Sequence, residues 1–127
     1  MKTVGMFREL VPWDDTAPSI ADSVGAEPLP DADQIVAYLG LGIPLVDMLD
    51  FAKDVLGSGE LIGGASSLLT DGVWMWRQDL AFYVRRYHIT LPVEFLDTVR
   101  GNGYAIPACD EDTLREARQA AAVHAFG

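Results

Sequence analysis

The sequence predicts an α+β fold: one mainly helical domain over residues 1–127, in which a buried β-hairpin at about residues 65–76 packs on amphipathic helices. Three observations lead to this prediction. Apolar residues recur at helical spacing in several segments, and two short apolar runs meet at the turn-forming dipeptide Asp71-Gly72. The chain, half of whose residues are hydrophobic, also matches the size of a single domain with a substantial core.

The first 30 residues are predicted to form a loop-rich, acidic lead-in. They contain four of the seven prolines, namely Pro12, Pro18, Pro28 and Pro30. Ile20 and Val24 are spaced for a single helical turn. A longer helix is expected from Asp31, because Asp31 and Gln34 resemble a capping box and apolar residues follow at helical spacing.

The clearest helical pattern follows Pro44, which suits the first turn of a helix. Its apolar stripe consists of Leu45, Met48, Leu49, Ala52, Val55 and Leu56. The glycines at 57 and 59 would end this helix. Its opposite side would carry a row of candidate contact residues, Asp47, Asp50, Phe51 and Asp54. An aromatic ring within a row of acids predicts a site of protein contact.

The hairpin prediction depends on Asp71-Gly72, whose residues tolerate the positive φ of a two-residue type I′ turn. In that register Leu69 would face Trp74. One face would then hold Leu69, Trp74 and Trp76, and the other Leu68, Val73 and Met75. Because a two-stranded ribbon is marginally stable alone, we expect the hairpin to be buried.

Four further elements follow the hairpin. The apolar stripe of the first helix consists of Leu80, Tyr83, Val84 and Tyr87, and it directs the tyrosines towards the core. A second helix is expected from Pro92 to Gly101, with a short strand at 104–106 after it. The capping-box residues Thr113 and Glu116 predict the start of an alanine-rich last helix.

The net charge of −10 is concentrated in residues 1–60, which hold eleven acidic and three basic residues. Such a field repels nucleic acid and anionic membrane surfaces, so we expect neither as a partner. It would attract a basic protein partner. The simpler interpretation, that the acidity only keeps the protein soluble, stays open.

The sequence contains no recognisable catalytic or metal-binding constellation. His88 and His124 are the only histidines and lack metal-ligand spacing. His88 is better explained as the end of a helix. Cys109 precedes three acidic residues, which would raise the pKa of its thiol and disfavour a nucleophile. We therefore predict no catalytic residue, no metal and no cofactor.

A cytoplasmic location is expected for two reasons. No apolar run reaches the length of a membrane span. Arg8 and Glu9 also interrupt the start of the chain, where a secretory signal would need its apolar stretch.

The pattern T-D-G-x-W-x-W-x-x-D-L-x-x-Y-V-x-x-Y-H-x-x-L-P-x-E-F, from Thr70 to Phe95, resembles one found in small uncharacterised proteins of actinomycete bacteria. Some of those proteins are similar to immunity proteins of bacterial toxin systems. The resemblance covers about a fifth of the chain. It implies a shared fold more firmly than a shared activity, and it transfers no catalytic residue.

The leading prediction is a non-enzymatic binding protein of the immunity type, whose acidic first half neutralises a basic toxin domain. Its contacts would be Asp47, Asp50, Phe51 and Asp54. One alternative is a small-molecule-binding or enzymatic domain with an aromatic pocket formed by Trp74, Trp76, Tyr83 and Tyr87. Another is a structural or regulatory subunit that oligomerises. The identity of the partner and the oligomeric state are left open.

Overall fold

A four-stranded sheet, with helices packed around it, forms the centre of the computed structural model, which describes residues 1–126. The strands are β1 (Lys2–Thr3), β2 (Ile43–Val46), β3 (Phe51–Lys53), β4 (Leu61–Gly63), β5 (Leu68–Thr70) and β6 (Trp74–Arg77). The helices are α1 (Ala32–Gly40), α2 (Leu80–Tyr87), α3 (Val93–Gly101) and α4 (Glu111–Phe126), and a single 3₁₀ turn spans Ile20–Ser23. The predicted α+β class is confirmed.

The main sheet has the strand order β1-β6-β5-β2. Strand β1 runs parallel to β6, whereas β6, β5 and β2 are antiparallel neighbours. Strands β3 and β4 form a separate two-stranded sheet. The β5–β6 hairpin therefore occupies the centre of the main sheet, and its predicted burial is confirmed.

The register of this hairpin differs from the predicted one. Leu69 lies opposite Trp76, whereas we predicted Trp74. The turn is centred one residue later because the buried Asp71 carboxylate accepts hydrogen bonds from the backbone N–H groups of Val73 and Trp74, at 2.9 and 2.7 Å. Asp71 thus acts as a side-chain acceptor at the base of the turn rather than as one of its two central residues.

The two faces of the hairpin are nevertheless close to the prediction, because a displacement of two residues leaves each side chain on its own face. The main core cluster contains Leu69, Trp74 and Trp76. A second cluster contains Leu68 and Met75 together with Ala121 of α4. Val73, which we expected on that second face, lies in the turn and is half exposed.

The helix predicted after Pro44 does not form, and this is the main correction. Its residues build strands β2 and β3 and the segment between them. Pro44 lies in β2, an edge strand of the sheet, where proline is tolerated. Leu49 and Val55, which we assigned to the apolar stripe of that helix, are exposed. Without a helix, there is no helical face to carry the row Asp47, Asp50, Phe51 and Asp54.

The remaining helices follow the prediction with local differences. Asp31 begins α1, but its carboxylate accepts hydrogen bonds from Arg100 and Tyr104 instead of capping the helix, so the capping-box prediction is wrong. Helix α4 begins at Glu111, ahead of the predicted capping box, because the Asp110 carboxylate accepts a hydrogen bond from the Thr113 N–H at 2.7 Å. The strand predicted at 104–106 is absent from the described chain.

The loop-rich lead-in contributes to the core as well as to the surface. Val4, Phe7, Leu10 and Ile20 belong to the main core cluster. The N–H group of Val4 also donates a hydrogen bond to the Met75 carbonyl at 3.0 Å, which extends the contact of β1 with β6. None of the helices within residues 1–126 is long and apolar enough to cross a membrane.

Candidate functional site

The β3–β4 hairpin carries an exposed apolar surface. Phe51 and Leu61 are 77 % and 64 % exposed, Val55 is 43 % exposed, and Leu49 just before the hairpin is fully exposed. Two exposed acids lie next to these residues in the chain: Asp47 precedes Leu49, and Glu60 precedes Leu61. We call this set the hairpin surface: Asp47, Leu49, Phe51, Val55, Glu60 and Leu61.

The pairing of β3 with β4 determines which side chains point outward. Phe51 lies opposite Gly63, and Lys53 lies opposite Leu61. Since alternate residues of a strand share a face, these four positions form the outer side of the hairpin. A Cβ atom at Gly63 would lie 3.2 Å from the Phe51 ring, so the ring covers the glycine closely. The Phe51 ring therefore packs on Gly63, although most of the side chain is exposed.

The inner side of the hairpin attaches it to the rest of the protein. Ala52 and Ile62 lie opposite each other on this side and are half-buried. Ile62 packs against the main core cluster, as does Leu56 in the turn. The hairpin is therefore a projection with one supported face and one free face.

Asp54 anchors the turn between β3 and β4. Its side chain is buried and accepts hydrogen bonds from the backbone N–H groups of Leu56 at 2.7 Å and Ser58 at 3.1 Å. The Tyr87 hydroxyl donates a further hydrogen bond to the same carboxylate. The Tyr83 hydroxyl accepts a hydrogen bond from the Val55 N–H at 3.0 Å. Hydrogen bonds with two tyrosines of α2 thus attach the turn to that helix.

The pKa shifts in this anchor follow from its geometry. Burial acts to raise the pKa of Asp54, but the hydrogen bonds from Ser58, Tyr87 and Leu56 outweigh it, so the pKa is lowered and the carboxylate form is favoured. The hydrogen bond to Asp54 raises the pKa of Tyr87. Burial raises the pKa of Tyr83 to about 12. Both shifts move these pKa values further above neutral pH, so the Tyr87 hydroxyl keeps the proton that it donates to Asp54.

The start and end of the hairpin are also fastened. The Asp50 carboxylate accepts a hydrogen bond from the Ser66 hydroxyl at 2.7 Å. The Ser67 hydroxyl accepts one from the Met48 N–H at 2.9 Å. On the other strand, the Gln78 side chain donates to the Gly63 carbonyl at 3.1 Å. Hydrogen bonds therefore attach the hairpin to the rest of the protein at both ends and at the turn.

The structure separates the four predicted contact residues into two pairs. Asp47 and Phe51 are exposed and available to a partner. Asp54 is buried, and Asp50 is half-buried, and both carboxylates are engaged in internal hydrogen bonds. Sequence analysis missed Leu49 and Leu61 as surface residues. The glycines at 57 and 59, between two short apolar runs, were the available signal for a hairpin at this position.

Comparison of the chain with protein-family models, with curated proteins and with solved structures finds no match.

The alternative aromatic pocket does not lie where it was expected. Trp74, Trp76 and Tyr83 are buried in the core, whereas Tyr87 is half-buried. The two tryptophans make edge contacts with Phe95, with ring centroids 5.4 and 5.7 Å apart. Tyr83 and Tyr87 stack on each other instead, at 6.3 Å. These rings fill the interior and dock the turn, and they do not converge on an open pocket.

Two buried polar networks, neither predicted from the sequence, support the core. Arg77 forms a salt bridge with Asp79 at 3.0 Å and also donates to the Leu10 carbonyl. The Tyr38 hydroxyl donates to Asp71 at 2.6 Å and accepts a hydrogen bond from Asn102. Among the described residues, no buried side-chain nitrogen or oxygen lacks a hydrogen-bond partner. We therefore assign both networks a structural role.

The residues weighed for catalysis belong to different elements: His88 ends α2, Cys109 precedes α4, and His124 lies within α4. His88 ends α2 in a left-handed conformation, and its N–H donates to the Val84 carbonyl at 3.0 Å, in agreement with its predicted place at a helix end. The Cys109 thiol is partly buried, which raises its pKa, as do the nearby Asp71 and Asp110. Within residues 1–126, no group of three or more His, Cys, Asp or Glu side chains is placed to hold a metal ion.

Proposed function

We propose that this protein is a non-enzymatic binding protein of the immunity type, which acts in the cytoplasm and neutralises a basic, toxin-like protein by covering its active surface. The contact region is the hairpin surface. Phe51 is its central anchor, Leu49 and Leu61 extend the apolar contact, and Asp47 and Glu60 supply the charge that guides association.

The observation that carries this proposal is the apolar exposure of a hairpin that is otherwise firmly held. Exposed apolar patches on a folded domain are typical of protein-contact sites. The hydrogen bonds of Asp50 and Asp54 hold the hairpin before any partner arrives. A surface that is already ordered loses little conformational entropy on binding, which favours affinity.

Charge favours a basic partner over an acidic one. The chain carries a net charge of −10, and most of the excess lies in residues 1–60, which include most of the hairpin surface. The outer side of the hairpin carries one cation, the exposed Lys53 opposite Leu61, and it is the only basic residue between Asp47 and Leu61. The resemblance of residues 70–95 to proteins similar to immunity proteins is compatible with this partner but does not select it.

The test is capture of partners from a lysate of the source organism at low and then high salt, followed by mass spectrometry. Wild type is compared with the double variant Phe51→Ser, Leu61→Ser and with Leu41→Ser. Leu41 is 67 % exposed but lies outside the hairpin surface, so it is a matched control. We expect wild type and Leu41→Ser to capture the same basic protein, with losses at high salt, and the double variant to capture much less.

Equal capture by the double variant, or capture of no basic protein by wild type, would contradict the proposal. The other candidate occupant of the hairpin surface is a second copy of this chain. Light scattering tests for it, because it measures the oligomeric state. If a dimer forms as the protein concentration rises and is absent in the double variant, the hairpin surface is a site of self-association instead.

A further inference from the structure

A small apolar cavity lies where α1, α2 and α3 meet the loop that precedes α1. Its volume is about 120 Å³. Its walls include the side chains of Leu29, Ile35, Val84, Ile89 and Leu96. None of the residues that line it belongs to the hairpin surface, so a ligand in this cavity would be independent of the proposed function.

The loop at the mouth of this cavity is held closely against the end of α2. The Gly25 N–H donates to the Tyr87 carbonyl at 3.2 Å, and the Thr90 N–H donates to the Ser23 carbonyl at 2.7 Å. A Cβ atom at Gly25 would lie only 2.5 Å from the His88 carbonyl oxygen, so only glycine fits there. The backbone therefore frames the cavity tightly.

The residue at the end of α2 adds a second constraint. His88 has a φ of 54° and lines the cavity. Its left-handed conformation ends α2, and the residue also lies in the cavity wall. Pro28, also in the lining, restricts the backbone of the loop that precedes α1. A closely framed apolar cavity is a typical site for a small ligand.

The size of the cavity limits its occupant to a small molecule. A cavity of about 150 Å³ with a similar aliphatic lining holds benzene. The present cavity is slightly smaller, and exposed residues at its rim, Glu27 and Pro28, leave room for a substituent that reaches solvent. The buried part of a ligand is therefore limited to one ring or one branched aliphatic chain, with a single polar group at the mouth.

The charge of the cavity lining indicates which polar group a ligand would carry. Apart from His88, Glu27 is the only ionisable side chain in the cavity lining. The chain as a whole carries a net charge of −10, which disfavours anions. Thr90, also in the lining, offers a neutral hydrogen-bonding group. We propose that this cavity binds a small aromatic or branched aliphatic amine, with its apolar part between Ile35, Val84 and Leu96 and its ammonium group at Glu27.

The test is a methyl-NMR titration of the full chain with benzylamine, benzyl alcohol and benzoate, which share one ring and differ in the charge of the substituent. Benzylamine should shift the methyl signals of Ile35 and Leu96 and leave those of Leu68, in the other core cluster, unchanged. It should bind about 3-fold more tightly than benzyl alcohol, because an exposed ion pair contributes little. Benzoate should bind most weakly.

Two variants and their controls complete the test. Ala32→Leu fills the cavity and should abolish the shifts, whereas Ala37→Leu, on an exposed part of the same helix, should preserve them. Glu27→Gln should remove the advantage of benzylamine over benzyl alcohol, and the exposed Glu116→Gln should not. Because Glu27 is exposed, its variant tests the site even if Ala32→Leu does not fold.

Three results would overturn the inference. The first is that benzylamine fails to shift the Ile35 and Leu96 methyl signals at any concentration. The second is that a folded Ala32→Leu binds benzylamine as wild type does. The third is that benzoate binds more tightly than benzylamine, which would place a cationic or N–H donor group, not Glu27, at the mouth.

Discussion

The Tyr87 hydroxyl donates a hydrogen bond to the Asp54 carboxylate, and this contact joins the tip of the β3–β4 hairpin to helix α2. The two residues are 33 positions apart in the sequence. The contact gives Asp54 a structural role in holding the hairpin, in place of the partner contact that its position in the sequence suggested.

Replacement of Tyr87 by phenylalanine should loosen the hairpin turn without unfolding the protein. The variant removes the hydroxyl donor and leaves the ring stacking on Tyr83 in place. We expect faster amide hydrogen exchange at Leu56 and Ser58, whose N–H groups share the Asp54 carboxylate.

Tyr104→Phe is the control for this experiment, because the Tyr104 hydroxyl makes a similar hydrogen bond to Asp31 elsewhere on the surface. It should leave exchange at Leu56 and Ser58 unchanged. If Tyr87→Phe and Tyr104→Phe gave the same exchange pattern in the turn, the anchoring role of Tyr87 would be wrong.

Replacement of Asp54 by alanine should destabilise the protein, whereas the same change at Asp47 should not. Asp54→Ala leaves the Leu56 and Ser58 N–H groups without their acceptor, and we expect a loss of about 2–3 kcal/mol in the free energy of unfolding. Asp47 is exposed, so Asp47→Ala should change it by no more than about 0.5 kcal/mol. Urea unfolding measures both values, and equal losses would argue against the anchor.

Replacement of Asp71 by alanine should be among the more damaging single changes. The carboxylate is buried and accepts hydrogen bonds from the Val73 and Trp74 N–H groups and from the Tyr38 hydroxyl. Its removal leaves buried donors without acceptors, with an expected loss of about 2–4 kcal/mol by thermal or urea unfolding. Asp97→Ala, at an exposed position, is the control. A loss below about 1 kcal/mol would show that the turn can rearrange.

Acid should weaken the contact between Asp31 and α3. Hydrogen bonds from Arg100 and then Tyr104 lower the pKa of Asp31 from 3.8 to about 2. Because the folded-state pKa lies below that of the unfolded chain, the carboxylate stabilises the fold at neutral pH, and this contribution is lost as the pH falls from about 4 towards 2. The difference in unfolding free energy between wild type and Asp31→Asn should therefore shrink over that range.

Arg100→Gln provides the companion measurement for Asp31. It removes the principal hydrogen-bond donor to the carboxylate, so the pKa of Asp31 should move back towards its ordinary value. The pH dependence attributed to Asp31 should then become smaller. An unchanged acid response in Arg100→Gln would assign the lowered pKa to another group.

The spacing of apolar residues correctly predicted helices whose buried face follows from that spacing alone. The stripe Leu80, Tyr83 and Val84 is buried in α2, as expected. The β5–β6 hairpin was recognised from its turn residues, and its faces were predicted correctly except at Val73. Its register depended on the Asp71 side chain, which a turn dipeptide does not reveal. The turn type predicted for Asp71-Gly72 and the hydrogen bonds of the Asp71 side chain favour different registers. The hydrogen bonds determine the observed register.

The candidate site could not be predicted from spacing. The apolar positions around Leu49 and Val55 fit a helix, and the contacts that impose a hairpin instead come from distant residues. These are the hydroxyls of Tyr83 and Tyr87 on one side and of Ser66 and Ser67 on the other. Tertiary contacts overrode local propensity, as they often do in short segments.

The measurement that tests the proposed function most directly is the affinity of the captured partner for Phe51→Ser, compared by calorimetry with wild type and Leu41→Ser. Phe51 is 77 % exposed and rests on Gly63, so its replacement removes the proposed anchor while the fold is kept. We predict binding weaker by about 30-fold or more for Phe51→Ser, as for other central aromatic anchors, and unchanged for Leu41→Ser. Wild-type affinity in a folded Phe51→Ser would contradict the assignment of the hairpin surface.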